Sequence, residues 1–373
     1  MNREELYEQY LNLQSGTELQ QLSSSEISKR LEMLLRSLPN GGKLYKYRSI
    51  KGSAFDYAYE SLQNGYLWLA TANTLNDDLD CSLNFDPMKY IEEAKQSFLS
   101  QPWLYLARWI KANPDKKLFS SLVDQYYYSL VEKCINLSNW ELDENRAVRL
   151  LGEAGLATKD AKKFIDDLLD FVDLKVHEHA EIMKSPISHL SKFNETMRKN
   201  IYVFSMSETY DGSSMWGRYA DSNCGFCIEY DFNKASVLSE ELKRVLLCLY
   251  RVTYKGEELP EYSFFEIHQL FQEDGIEDQL YKQICRNMLN KLLIKTKDWD
   301  DEKEWRIMVC YLLDNKLYAD LVSGIIIDKR VLETTNAQKL IALAEERGWS
   351  VRVRMINHIG NKHIYEAYLS RKR

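Results

Sequence analysis

Apolar residues recur at helical spacing from about residue 88 to residue 198, as in Leu118, Leu122, Tyr126, Leu130 and Cys134, while both flanks read as short strands. A helical tract between strand-forming flanks restricts the chain to an α+β architecture: a mixed central sheet with flanking helices and a helical insertion. The expected division is an N-terminal helical arm at 1–40, a first part of the α+β core at 41–87, the insertion at 88–198 and a second part of the core at 199–373. No internal repeat or low-complexity linker is present, so one core interrupted by an insertion is the simplest organisation.

Local signals place the elements. Ser23-Ser24-Ser25-Glu26 has the form of a helix N-cap, and Ile27, Leu31, Leu34 and Leu35 follow at helical spacing. Asn40-Gly41-Gly42 breaks that helix, and residues 43–48 alternate as a first strand. A short helix ending near Gly65 precedes a second strand at 66–70. Beyond the insertion, strands are expected at 201–207, 226–230, 247–254, 324–328 and 350–355. Helical turns fit 214–220, and helices fit 278–295 and 333–346, the last stopped by Gly348.

Residues 295–311, KTKDWDDEKEWRIMVCY, bring Trp299, Trp305, Glu302, Glu304 and Arg306 to the start of an apolar run. In a strand, residues two apart share a face, so Glu302 and Glu304 are expected to project together from the mouth of a half-buried strand. Two carboxylates so close repel unless a cation lies near. The stretch is therefore either a site or part of a buried ion-pair lattice of Glu302, Glu304, Arg48 and Arg306.

Composition removes several classes. Lysine and arginine total 49 against 56 aspartate and glutamate, a net charge of -7, the opposite of a chain that holds nucleic acid or anionic membranes by bulk charge. No stretch approaches the roughly 18 apolar residues of a membrane span. The N-terminus, MNREELYEQYLNLQ, lacks the apolar core of a secretory signal, and a cytoplasmic protein is expected. The seven cysteines, an odd number among apolar neighbours, read as reduced core residues.

Three motifs have ordinary explanations. Asn76, Asp77, Asp78 and Asp80 fit turn chemistry, with a bound cation as the alternative, and no metal site is assigned. Cys224 and Cys227 form a lone CxxC, short of the four ligands of structural zinc. His177 and His179 would lie on different faces of a helix, unlike the i, i+4 pair of a zinc helix, and read as surface residues.

A set of motifs in fixed order resembles the bacterial family called domain of unknown function 2971. They are Leu44-Tyr45-Lys46-Tyr47-Arg48, Gly65-x-Leu67-Trp68-Leu69, Asn76-Asp77-x-Leu79-Asp80, Phe204-Ser205, Met215-Trp216-x-x-Tyr219-Ala220, Gly225-Phe226-Cys227-Ile228-Glu229-Tyr230, and Lys295 with Trp299-x-x-Glu302-x-Glu304-Trp305-Arg306. The likeness covers about residues 43–86 and 200–330. Asp78 and Leu79 depart from the family's usual Asn-Asp-Pro-Phe-Asp, and Asn223-Cys224 stands where a histidine often precedes the glycine. The family name supplies no reaction, although the resemblance suggests a setting in bacterial stress or phage defence.

The same polar groups resemble, in order, the Arg-Ser-Glu ADP-ribosyltransferases: Arg48, then Ser205-Met206-Ser207, then Glu302-Lys303-Glu304. Breaking a nicotinamide–ribose bond builds positive charge on the sugar, which a fixed carboxylate stabilises best in a dry pocket. That likeness implies NAD as cofactor. It gives Glu304 the ribose and developing cation, Glu302 the acceptor, Ser205 the nicotinamide ribose and Arg48 the pyrophosphate. The motifs add Tyr45, Lys46, Trp68, Asn76, Asp77, Asp80, Trp216, Tyr219, Lys295, Trp299 and Arg306 as candidate ligand-binding residues, the aromatic ones as stacking walls or as core. A small-molecule or nucleotide ligand is the expected partner. The alternative is a non-catalytic sensor that binds a ligand or protein over a structural ion-pair network.

Overall fold

The computed structural model describes the chain except residues 1, 15–18, 76, 78–79, 83, 85, 114–117, 120, 183–191, 193, 257–260, 262–288, 311–313, 358–361 and 368–373. It divides into two compact units, one of residues 1–84, 194–260 and 274–373, the other of residues 85–193 and 261–273.

The first unit begins with helices α1 (Arg3–Gln14) and α2 (Ser24–Ser37). Ser23 and Glu26 close the capping box that the sequence signalled, each side chain bonding the other's backbone N–H. Tyr7, Tyr10, Ile27, Leu31 and Leu34 belong to the main apolar core, so these helices are a layer of that core rather than an arm. Strand β1 (Lys43–Arg48) leads to α3 (Gly52–Asn64), which Gly65 ends in the left-handed conformation. The strand expected at 66–70 is two short pieces, β2 (Leu67–Trp68) and β3 (Ala70–Thr71).

The second unit is mostly helical: α4 (Pro87–Ser100), α5 (Pro102–Ala112), α6 (Leu122–Glu132), α7 (Glu144–Glu153) and α8 (Thr158–Ile182). A small hairpin of β4 (Ile135–Asn136) and β5 (Glu141–Leu142) interrupts the helices. Trp103, Leu106, Val131, Leu151, Ile165 and Val172 fill its core. On α8 the exposed His177 ring bonds the Asp173 carbonyl.

The first unit resumes with β6 (Ile201–Ser207), α9 (Ser213–Tyr219), β7 (Phe226–Asp231), α10 (Glu240–Leu246), β8 (Leu249–Arg251) and β9 (Thr253–Tyr254). Of the helix expected at 278–295, residues 278–288 lie outside the described residues, and Ile294–Lys295 is a short strand, β10. Then come β11 (Glu304–Cys310), β12 (Lys316–Leu317), β13 (Val322–Asp328), α11 (Thr335–Arg347, ended by left-handed Gly348), β14 (Ser350–Asn357) and a strand not foreseen, β15 (Lys362–Ala367).

The fold is α+β, with a mixed sheet in the order β15-β14-β13-β7-β1-β6-β11-β8; β13 and β14 run parallel and the other neighbours antiparallel. One face presents Leu44, Phe204, Met206, Phe226, Ile228, Trp305 and Ile307 to the core that includes α1 and α2. The other presents Tyr45, Tyr47, Cys227 and Ile326, packed with Met215 and Trp216 of α9.

One irregularity matters for function. Strand β6 meets β1 only at the Tyr45–Ser207 pair, and farther along the same edge it meets β3 at Val203 and Tyr202. Between these contacts, beside Ser205, the sheet has a gap.

Candidate ligand-binding cleft

The carboxylates expected from one strand face are brought together by a turn instead. Residues Lys297–Glu302 form a 3-10 turn, Lys303 adopts the left-handed conformation with φ of 44°, and β11 starts only at Glu304. The aspartates of KTKDWDDE favour local turn bonds over an extended ladder, which is why strand alternation misassigned them. The Ser207 hydroxyl donates to the Glu302 carbonyl at 2.7 Å, and the Glu304 N–H donates to the Tyr254 hydroxyl at 2.8 Å, fixing both ends of the turn.

The side chains form a buried ionic lattice. Arg306, 1% exposed, donates from Nη1 and Nη2 to Asp80 at 2.7 and 2.6 Å, and from Nε and Nη2 to Glu304 at 2.7 and 2.9 Å. Lys295 Nζ lies 2.8 Å from Glu304, 2.9 Å from Glu302 and 3.4 Å from Asp80. The Tyr219 hydroxyl donates to Glu302 at 2.6 Å, and Arg218 stands 3.6 Å from the same carboxylate. The Trp299 ring lies under Lys295 at 5.4 Å and Arg218 at 5.1 Å.

Burial favours protonation of Glu304, but the charges of Arg306 and Lys295 dominate and hold the carboxyl well below the usual range. Burial works against the Lys295 and Arg306 cations too, yet Glu304 and Asp80 raise both above their ordinary values. The Tyr219 hydroxyl is pushed up by burial and by its bond to Glu302. Cys81, whose sulfur receives Arg306 Nη1 at 3.3 Å, is pushed up by burial to about 12 and stays a thiol.

This lattice floors a cavity of about 290 Å³ that reaches into the gap beside Ser205. Its walls include Tyr45, Lys46, Arg48, Trp68, Asp77, Asp80, Ser205, Tyr219, Lys295, Trp299, Glu302, Glu304 and Arg306, which covers most of the residues singled out from the sequence. The size is near the lower end of the ~300–1,000 Å³ typical of small-molecule sites, which suits a mononucleotide better than a whole dinucleotide.

Two sequence expectations need correction. Trp216 is not a cavity wall: it is fully buried, donates from Nε1 to the Tyr210 carbonyl at 2.8 Å, packs edge-on to Tyr47 and has the Arg354 guanidinium 4.3 Å over its ring. Arg48 is not in the lattice; Asp80 and Lys295 take the places expected for it. Nor does Arg48 share a face with Glu304, because alternation along β1 puts Tyr45 and Tyr47 on the Glu304 side and Lys46 and Arg48 on the side of Phe204 and Tyr230. Lys46 and Arg48 meet the cavity only because the gap opens the sheet to them. Asn76 lies outside the described residues, and among the described residues no group of three or more His, Cys, Asp or Glu side chains is placed to hold a metal.

Gly225 was legible as part of a motif, but not its reason. A Cβ there would strike the Arg48 carbonyl and come within 2.8 Å of the Ala220 Cα, so only glycine lets β7 start against the end of β1. The preceding loop holds Asp221, Ser222 and Asn223 all at positive φ. Asp221 accepts from the Ser49 hydroxyl at 2.7 Å and the Ile50 N–H at 2.8 Å, and Asn223 accepts from Arg354 at 3.0 Å. These bonds anchor the loop between Tyr219 and Arg48.

Fold and site together define an α+β protein with a charged, aromatic-walled cleft set in a sheet gap. Residues 215–307 match a family described as Protein of unknown function (DUF2971), so over this segment, which carries α9, Gly225 and the carboxylate turn, the resemblance read from the motifs is shown. No curated protein and no solved structure matches the chain. Among the described residues, no helix is long and apolar enough to cross a membrane.

Proposed function

We propose that the cleft binds a nucleotide-like ligand and acts on it at the sugar, in the manner of an ADP-ribosyltransferase. The observation that carries this reading is that Arg48, Ser205, Glu302 and Glu304, from three distant parts of the chain, line one cavity. Glu304 is ionised at neutral pH, as stabilising a sugar cation requires. Its two oxygens are engaged with Arg306 and Lys295, but a carboxylate has about four acceptor sites, leaving room for a ribose hydroxyl. The Ser205 hydroxyl makes no hydrogen bond among the described residues and is available to a sugar. Trp299, Tyr219 and the half-exposed Trp68 supply ring faces for a base. In this reading NAD is the substrate, with its nicotinamide mononucleotide half in the cavity and the rest of the dinucleotide outside it, and the setting is the stress or phage-defence response that the family resemblance suggests.

A second reading is a sensor that binds without turnover. It is favoured by the same lattice: three carboxylates, each paired with at least one of two buried cations, form a rigid platform more than a mobile catalytic group.

The test is NAD consumption by the purified chain, wild type against Ser205→Ala. That substitution removes a hydroxyl with no structural partner, so the fold is expected to persist while turnover falls at least tenfold. Turnover unaffected by Ser205→Ala would remove the assigned role of Ser205. Binding of a nucleotide without any NAD consumption would leave the sensor reading.

A further inference from the structure

We propose that the gap in the sheet is a phosphate seat built by Lys46 and Arg48, occupied by the phosphoryl group of the ligand. This rests on the reading of the cleft as nucleotide-binding and assigns the anion a place apart from the carboxylate lattice. Lys46 Nζ donates to the Ser205 carbonyl at 2.5 Å and stands 4.4 Å over the Phe204 ring. Among the described residues no carboxylate pairs with it. Arg48, two residues on and pointing the same way, has neither an ion pair nor a side-chain hydrogen bond among the described residues. Both side chains are half-buried and line the cavity.

Two like charges placed together without a counterion are unfavourable in a folded protein unless something anionic joins them. Among the described residues, every buried cation on a strand of this unit has its carboxylate: Arg306 has Asp80 and Glu304, Lys295 has Glu302 and Glu304, and Arg354 has Asp328 at 2.7 Å. The exception falls where the sheet opens. Burial lowers the Lys46 ammonium well below its ordinary value, and the charges of Arg48 and Arg306 oppose it further, with Glu304 alone favouring it. An incoming phosphate would reverse that balance. The Arg48 guanidinium offers a planar fork and Lys46 a compact charge, the pairing that grips tetrahedral oxyanions.

The seat is tested by calorimetric titration of orthophosphate, AMP and adenosine against the full chain, with Lys46→Gln, Arg48→Gln and Lys46→Arg. Orthophosphate is expected to bind, AMP to bind more tightly than adenosine, and both Gln variants to weaken orthophosphate and AMP roughly tenfold or more, as loss of a charge-assisted bond implies. Lys46→Arg is expected to retain most of the binding. Without ligand, Lys46→Gln is expected to unfold at the same or a higher temperature, because it removes an uncompensated buried charge, which separates loss of binding from loss of fold. Adenosine binding as tightly as AMP, with no orthophosphate binding, would overturn the seat and leave the nucleotide cleft standing. Failure of all three ligands to bind would overturn both, and a strong fall in stability of Lys46→Gln would show that Lys46 serves the fold instead.

Discussion

At the scale of single residues the lattice makes Glu304 a structural residue whatever else it does. Glu304→Gln leaves Arg306 and Lys295 short of a buried counter-charge, and removing one partner of such a pair costs about 3–5 kcal/mol. Urea unfolding should show that loss. The sign with pH follows from the lowered carboxyl of Glu304. Its contribution to stability is complete above the unfolded value of about 4.3 and is lost as pH falls from there toward the folded value. Unfolding free energy measured from pH 7 down to pH 3 should fall below about pH 4.3, and less steeply in Glu304→Gln. The carboxylate pair was legible because Glu302 and Glu304 are neighbours in sequence. Their counter-ions were not: Arg306 also grips Asp80, 226 residues away, and no local pattern announces that contact. Trp216 misled for a related reason, since a tryptophan among polar motifs looks the same whether its ring faces a ligand or Arg354.

Among the elements, those set by local chemistry were readable. The capping box at Ser23 and the left-handed glycines after α3 and α11 appear where the sequence placed them. Ser23→Ala should cost about 1 kcal/mol in thermal or urea unfolding. Gly225→Ala should cost more, about 1–3 kcal/mol, because the added methyl meets backbone on two sides and neither β1 nor α9 has room to yield. The turn at 297–303 was misread because two alternating glutamates suit a strand as well as a turn end. The gap beside Ser205 had no sequence signal at all. It arises from which strands share the edge of β6, a matter of pairing between β1 and β3 rather than of any one segment.

For the whole molecule, the motif order was the useful guide. Described residues from within 45–48, 68–80, 203–219 and 295–306 converge on one cavity, although more than a hundred residues of mostly helical chain separate the second from the third. What the order could not convey was depth: Arg48 enters from the far face of the sheet, through an opening. The central claim is that this cavity is a ligand site and not merely an ion-paired core. Trp299 and Trp68 stand in its wall, with Trp68 46% exposed, so intrinsic tryptophan fluorescence reports directly on occupancy. The measurement is a titration of AMP against that fluorescence in wild type, Trp68→Phe and Arg48→Gln. A saturable change in wild type, reduced in Trp68→Phe and shifted to higher AMP concentration in Arg48→Gln, is the predicted result. No change in wild type up to millimolar AMP, or the same curve in all three proteins, would contradict it.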